Sequence, residues 1–282
     1  MTDRGGRGVF DLHVHAAPDV RPRLADDRQV LTWYAEAGFT GCVLKAHYDA
    51  TVGRAAAAAA GTGVRAYGGQ VLNRHVGGIN PDAVAAALMM GARVIWMPTE
   101  DAHTQRAAGL PRLCGQRPDL PDVTYAVPPV DWSVEQRVRD VLALVAEFDA
   151  VLATGHLSGP EVAWLLTAAR EAGVRRVLLT HPGYRVPGLS AAETRQLTDL
   201  GAYAEVTAVQ LLDEPGAAAA LAAFVRDVGY ERVVLSSDTG QPHNPTPPEA
   251  LHRLVDALAA EGLDRKALLA CASETPERLV TP

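Results

Sequence analysis

Two histidines one residue apart, His13 and His15, end the apolar run "GVFDLHVH" at residues 8–15. Alternate residues of a β-strand face the same side, so this pair sends two imidazoles into one space. Packing does not ask for that, and two basic rings side by side are costly unless something binds them. Neutral imidazole is a common ligand for borderline metals, and a carboxylate adds charge compensation. Three further groups close apolar runs in the same way: His156 in "LATGH", His181 in "LLTHPG" and Asp238 in "LSSD". Taken singly, each histidine also reads as a satisfied or exposed loop residue.

The elements that must position these groups are legible as eight apolar runs, at residues 8–15, 39–47, 64–73, 92–98, 150–156, 174–181, 201–207 and 232–238. They are rich in Val, Leu and Ile, as buried parallel strands should be. Helix start signals separate them. Ser158-Gly-Pro-Glu161, Ser190-Ala-Ala-Glu193 and Thr246-Pro-Pro-Glu249 read as capping boxes, and Asn80-Pro81 opens a further helix. Eight β-α alternations in this length predict a (β/α)8 TIM barrel, a single domain over 9–282 behind a flexible tail at 1–8. A doubly wound open sheet is the runner-up; it usually has fewer strands, and no G-x-G-x-x-G follows any run. Of the nine histidines, all but His252 fall at or just after the C-terminal end of a run. In a barrel those ends converge on the face where active sites lie.

The order His-x-His, later His, later His, final Asp resembles the amidohydrolase superfamily of metal-dependent hydrolases. The likeness runs along the whole chain, and the closing "ASETPERLV" is similar to that superfamily's C-terminal segment. More narrowly, "DLHVHAAPD", "VLNRHVGGINPDAV", "VIWMPT" and "VLATGHLS" resemble a bacterial amidohydrolase-like group. The resemblance implies a mono- or binuclear centre in which His13, His15 and Asp238 hold one divalent ion and His156 with His181 the other. Zinc is the leading candidate, with manganese, iron or nickel as alternatives. Such an ion activates water and polarises a scissile carbonyl or phosphoryl oxygen. Asp238 would accept the water's proton and pass it to the leaving group.

The bridging position departs from the family pattern. Many relatives place a carbamylated lysine at the end of the fourth strand, but here that run continues "WMPTEDAH". Glu100 could stand in as a carboxylate bridge, or Lys45 of "VLKAH" could be carbamylated or act as a charged catalytic group. The chain has 24 arginines and only two lysines, Lys45 and Lys266, so a lysine in an apolar run favours a specific role; a salt-bridged lysine is the alternative. Substrate-binding candidates are His47, Asn73, Arg74, His75, His103, Arg21 (with its neighbour Arg23) and Arg185, the arginines as partners for an anionic group. Asp11 and Asp19 read equally as strand-end or turn acceptors and as ligands. The proline-rich, aperiodic stretch at about 101–132 reads as a lid-like insertion over the pocket.

Bulk properties narrow the partners. A net charge of −7 without basic clusters argues against nucleic acid, and no apolar run approaches the length of a membrane span. Three scattered cysteines and no apolar leader point to a reducing cytoplasm. The expected partner is a small-molecule substrate, with an even-numbered homo-oligomer as the base-rate assembly. The expected activity is hydrolysis of an amide, cyclic amide, lactone or related ester bond of a small polar molecule. A mononuclear metal-dependent decarboxylase or other lyase is the second reading, and a non-catalytic barrel acting as a binding partner the third.

Overall fold

The computed structural model describes residues 8–110, 123–214 and 216–281. Its strands are β1 (Phe10–Val14), β2 (Gly41–Leu44), β3 (Arg65–Tyr67), β4 (Gly69–Val71), β5 (Val94–Trp96), β6 (Val151–Ala153), β7 (Val177–Leu179), β8 (Tyr203–Thr207) and β9 (Val233–Ser236). Every hydrogen-bonded pair is parallel, in the orders β1-β2-β3 and β4-β5-β6-β7-β8-β9. The helices between them cover the outside, as a (β/α)8 barrel requires.

All eight expected runs form strands, but the third is divided. Gly68 separates β3, which pairs with β2, from β4, which pairs with β5. The cause is a close approach: a Cβ on Gly68 would lie 2.5 Å from the backbone of Thr51 and Val52. The Thr51 hydroxyl fills the break, donating to the Leu44 carbonyl at 2.6 Å and accepting from the Gly69 N–H at 2.9 Å. One continuous segment thus joins the two sheets. At the other seam, between β1 and β9, the His15 N–H donates to the Thr239 carbonyl (2.9 Å) and the Asp238 N–H to the His13 carbonyl (2.7 Å). Both bonds lie at the C-terminal ends, where the site is.

Strand alternation sorts the side chains into two cores. Phe10, Leu12, Val43, Val71, Val94, Trp96, Val151, Ala153, Leu178 and Val234 pack inside the barrel. Cys42, Leu44, Leu72, Ile95, Leu152, Leu179 and Leu235 face the helices. β1 breaks the alternation. Asp11 pairs with Cys42 and Val14 with Leu44, so Leu12 and His13 together stand opposite Val43. This bulge lets Phe10 and Leu12 fill the barrel floor while His13 and His15 also turn inward above them.

Helix starts follow the expected chemistry at Ser158, Ser190 and Asn80. Glu161 and Glu193 carboxylates accept from the Ser158 and Ser190 N–H groups at 2.9 and 2.8 Å, and Asn80 Oδ1 accepts from the Asp82 N–H at 3.1 Å. Thr246 corrects the third capping box: its side chain makes no cap bond, and prolines at the helix start, which need no N–H acceptor, open Pro247–Ala260 instead. Residues 1–7 of the expected tail and 111–122 of the expected lid lie outside the described residues. Gly8, counted in the tail, is buried. In the described flanks of the 101–132 stretch, Asp101 and Ala102 are fully buried, His103–Ala107 is helical, and Ala102 bridges to Tyr125. Among the described residues no helix is long and apolar enough to cross a membrane.

Candidate metal centre

A cavity of about 470 Å³ opens at the C-terminal rim of the barrel. At its floor His13, His15 and Asp238, all buried, each bring one ligand atom to within 4.8 Å of the others. His156 and His181 stand beside them with ring centroids 5.1 Å apart, and His181 lies 6.1 Å from His13.

The hydrogen-bond partner of each ring settles what it can offer. His13 Nδ1 faces Glu205 of β8 at 3.1 and 3.3 Å. A carboxylate can only accept, so Nδ1 carries a proton and Nε2 is turned into the site. There Nε2 meets both Asp238 Oδ1 and Lys45 Nζ at 2.9 Å. One nitrogen cannot donate to the carboxylate and accept from the ammonium at once, so one of the two contacts is repulsive. A cation shared by Nε2 and Oδ1 would remove the conflict between their lone pairs, and burial, which lowers the Lys45 pKa, favours the neutral amine that can sit beside it; in this respect the residues fit a divalent metal. Burial opposes charge on His13, but the Asp238 and Glu205 carboxylates raise its pKa to about 9. A bound metal would take the place of that proton. Asp238 is held well below the usual carboxylate range, against the effect of burial, by His13 and by hydrogen bonds from His13 and His15.

His156 Nδ1 lies 3.0 Å from Gln105 Oε1, so its Nε2 lone pair is also available to the site. Buried His181 Nδ1 has no partner among the described residues, and its Nε2 is 3.9 Å from Asp238 Oδ2. Burial pushes both rings, with His15, below the ordinary imidazole value, which keeps them neutral as metal ligands must be. His15 is the exception in tautomer. Arg23 Nη2 points at its Nδ1 from 3.2 Å, and a guanidinium can only donate. His15 therefore carries its proton on Nε2, toward Asp238 Oδ1 at 3.2 Å. A metal at Nε2 would expel that proton and loosen Arg23, which Asp19 anchors at 2.8 Å.

Local backbone conformation aims these groups. His181 (φ 27°) and Asp238 (φ 52°) adopt left-handed conformations that cost ordinary residues strain. Gly155 (φ 59°) turns the chain ahead of His156, and a Cβ there would come 2.3 Å from the Met97 carbonyl. Without that turn, the residue following Ala153 and Gly155 would face the helices.

Of the residues singled out in the sequence, His15, Lys45, His47, Glu100, His156, His181, Asp238, Arg21 and Arg185 line the cavity, and His13 adjoins it through Asp238. Asn73, Arg74, His75 and His103 do not appear in its described wall. Asn73 is fully buried behind His47, Arg74 pairs with Asp101 at 3.1 Å, His75 meets Gln70 at 3.0 Å, and His103 is 3.5 Å from Glu161. Sequence reading missed Glu205, Gln105, Thr99 and Tyr184. Only Glu205 left a signal, a lone carboxylate inside the apolar run "GAYAEVT".

Solved structures with this architecture span nearly the whole chain. An amidohydrolase from Pseudomonas aeruginosa has a TM-score of 0.64 at 13% identity, covering 97% of this chain and 95% of that one. An organophosphorus hydrolase from Deinococcus radiodurans has a TM-score of 0.64 at 12% identity, covering 97% and 92%. The phosphotriesterase homology protein from Escherichia coli, complexed with phosphate in its active site, scores 0.63 at 13%, covering 96% and 97%. The chain thus has the barrel of the amidohydrolases and phosphotriesterase-like enzymes, as its motifs implied. By sequence, residues 8–205 match the Family of unknown function (DUF6282), and the chain belongs to that family. No curated protein matches it significantly.

Proposed function

We propose that this chain is a metal-dependent hydrolase of the amidohydrolase type, acting on an amide, cyclic amide, lactone or related ester bond of a small polar molecule. The observation that carries the reading is the buried convergence of His13, His15 and Asp238 within 4.8 Å, beside His156 and His181, at the rim of the barrel. His13, His15 and Asp238 would hold one ion and His156 with His181 a second, with zinc the metal expected. A bound divalent ion supplies Lewis acidity toward the oxygen of the scissile bond and toward water.

The chain's own groups supply the rest. Asp238 engages both imidazoles through Oδ1, leaving Oδ2 to take a proton from the attacking water and deliver it to the leaving group. Lys45, 2.9 Å from His13 Nε2, and Glu100, in the wall of the same cavity, are the two candidates for the bridge. Burial lowers the Lys45 pKa and so favours the neutral amine that a carbamate requires. The walls carry Arg21 and Arg185 for a polar or anionic substrate.

Elemental analysis of gently purified protein, followed by hydrolysis assays on lactone, cyclic amide and ester panels before and after chelation, tests the reading. Zinc near one or two per chain and activity that chelation removes and zinc restores would support it. Protein that binds no metal even on reconstitution would defeat it. Carbon dioxide release in place of hydrolysis would favour the lyase.

A further inference from the structure

His47 stands in the cavity wall with its ring stacked 5.1 Å from His15. The residues behind it decide which of its nitrogens bears the proton. Asn73 Oδ1 accepts from the backbone N–H groups of Thr99 (2.9 Å) and Asp101 (3.3 Å), which can only donate. Its Nδ2 edge is therefore the one turned to the His47 carbonyl (3.0 Å) and to Thr99 Oγ1 (2.8 Å). Thr99 Oγ1, already accepting from Asn73, has its own proton to place. Thr99 is completely buried, and its remaining partner among the described residues is His47 Nδ1 at 2.8 Å. A hydroxyl proton aimed elsewhere would be buried without an acceptor, so the hydroxyl donates to Nδ1. An Nδ1 that accepts from the Thr99 hydroxyl bears no proton, so the ring's one N–H is on Nε2.

We propose that His47 presents Nε2–H into the cavity as a fixed hydrogen-bond donor to a substrate oxygen, the carbonyl or phosphoryl oxygen that gathers negative charge during attack. Asn73 and Thr99 are the positioning residues that lock this tautomer. A metal at Nε2 would have to move that proton to Nδ1 and turn the Thr99 hydroxyl away from it, so this arrangement assigns His47 to the substrate rather than to the metal. The role of the oxygen rests on the hydrolase reading; the tautomer does not. Donors set in advance toward developing charge are among the strongest contributors to catalysis.

The test is long-range ¹H–¹⁵N correlation spectroscopy on the full chain with labelled histidine, the His47 signal being the one missing from His47→Gln. The Nε2–H tautomer is expected in both chelated and zinc-loaded protein; an Nδ1–H pattern or a metal-bound shift at Nε2 would overturn the proposal. Thr99→Val should produce a tautomer mixture that Thr99→Ser does not. Titration with inorganic phosphate should move the His47 Nε2–H resonance. His47→Phe should bind phosphate roughly tenfold more weakly, about 1.4 kcal/mol, while His47→Gln, whose amide also donates, stays within roughly threefold of the parent. Phosphate binding unaffected by His47→Phe would refute the donor role. A chain that takes up no zinc would strike the hydrolase reading alone, because the tautomer of the chelated protein and the phosphate titration are read without metal.

Discussion

Glu205 on β8 reaches past β9 to His13 on β1, its Oε1 3.1 Å from Nδ1. The same carboxylate accepts from the Ser236 hydroxyl at 2.6 Å and from the His181 N–H at 3.2 Å. One buried acid therefore orients an imidazole on β1, a hydroxyl on β9 and the backbone of a second site histidine after β7. Its pKa stays below the usual value despite burial, because the His13 charge and hydrogen bond favour the carboxylate. Partners that orient a metal-binding histidine commonly contribute 10–100-fold in affinity, and Glu205→Gln is expected to weaken zinc binding by about that factor. Competition against a chromogenic chelator measures it, and an unchanged affinity would contradict the role.

Arg23 works in the opposite direction. Its guanidinium holds His15 in the tautomer that a metal must reverse, and it places a positive charge beside the centre. Arg23→Met is therefore expected to tighten zinc binding on the order of tenfold, the ratio that about 1.4 kcal/mol represents. The same chelator competition decides it; weaker binding in the variant would mean that Arg23 supports the centre.

Asp11 closes the barrel seam from outside the barrel core. Its Oδ2 accepts from the Tyr34 hydroxyl at 2.6 Å, and its Oδ1 from the N–H groups of His13 (3.1 Å) and Ser237 (3.0 Å). Asp11→Ala would leave three buried donors without an acceptor, at about 1–3 kcal/mol each. A loss of about 3–5 kcal/mol in urea unfolding is expected, against about 1 kcal/mol for Tyr34→Phe, which leaves both backbone bonds in place. Equal effects of the two variants would show that the seam does not depend on this carboxylate.

The two described cysteines are expected to be inert in the native state. Burial pushes the Cys271 thiol up to about 12 and the Cys42 thiol well above its ordinary value, and only the thiolate reacts readily. Modification by a thiol reagent, mapped by peptide mass, should reach Cys42 and Cys271 at the rate of unfolding and accelerate sharply in urea. Prompt labelling of either in buffer would show that this part of the core opens without unfolding.

Several parts of this molecule follow from the order of its residues. Eight apolar runs with helix signals between them imply a barrel, and a barrel brings the ends of its strands to one rim. That alone is enough to draw His13, His15, His156, His181 and Asp238 together from positions up to 225 residues apart. Lys45 was visible as one of only two lysines in an arginine-rich chain.

Other features depend on where the chain is in space. The bulge at Leu12 and His13 turns two successive residues inward, and strict alternation cannot produce that. The break at Gly68 exists because the backbone of Thr51 and Val52 passes against it. Glu205 is a lone acid in its apolar run, and only the folded barrel sets it beside His13, 192 residues away. Asn73 looked like a substrate contact, and it is Thr99, placed by the neighbouring strand, that makes it a support for His47. Periodicity reports which face of an element is buried; the proton on a ring nitrogen depends on a single atom about 3 Å away, and only the folded chain decides which atom that is.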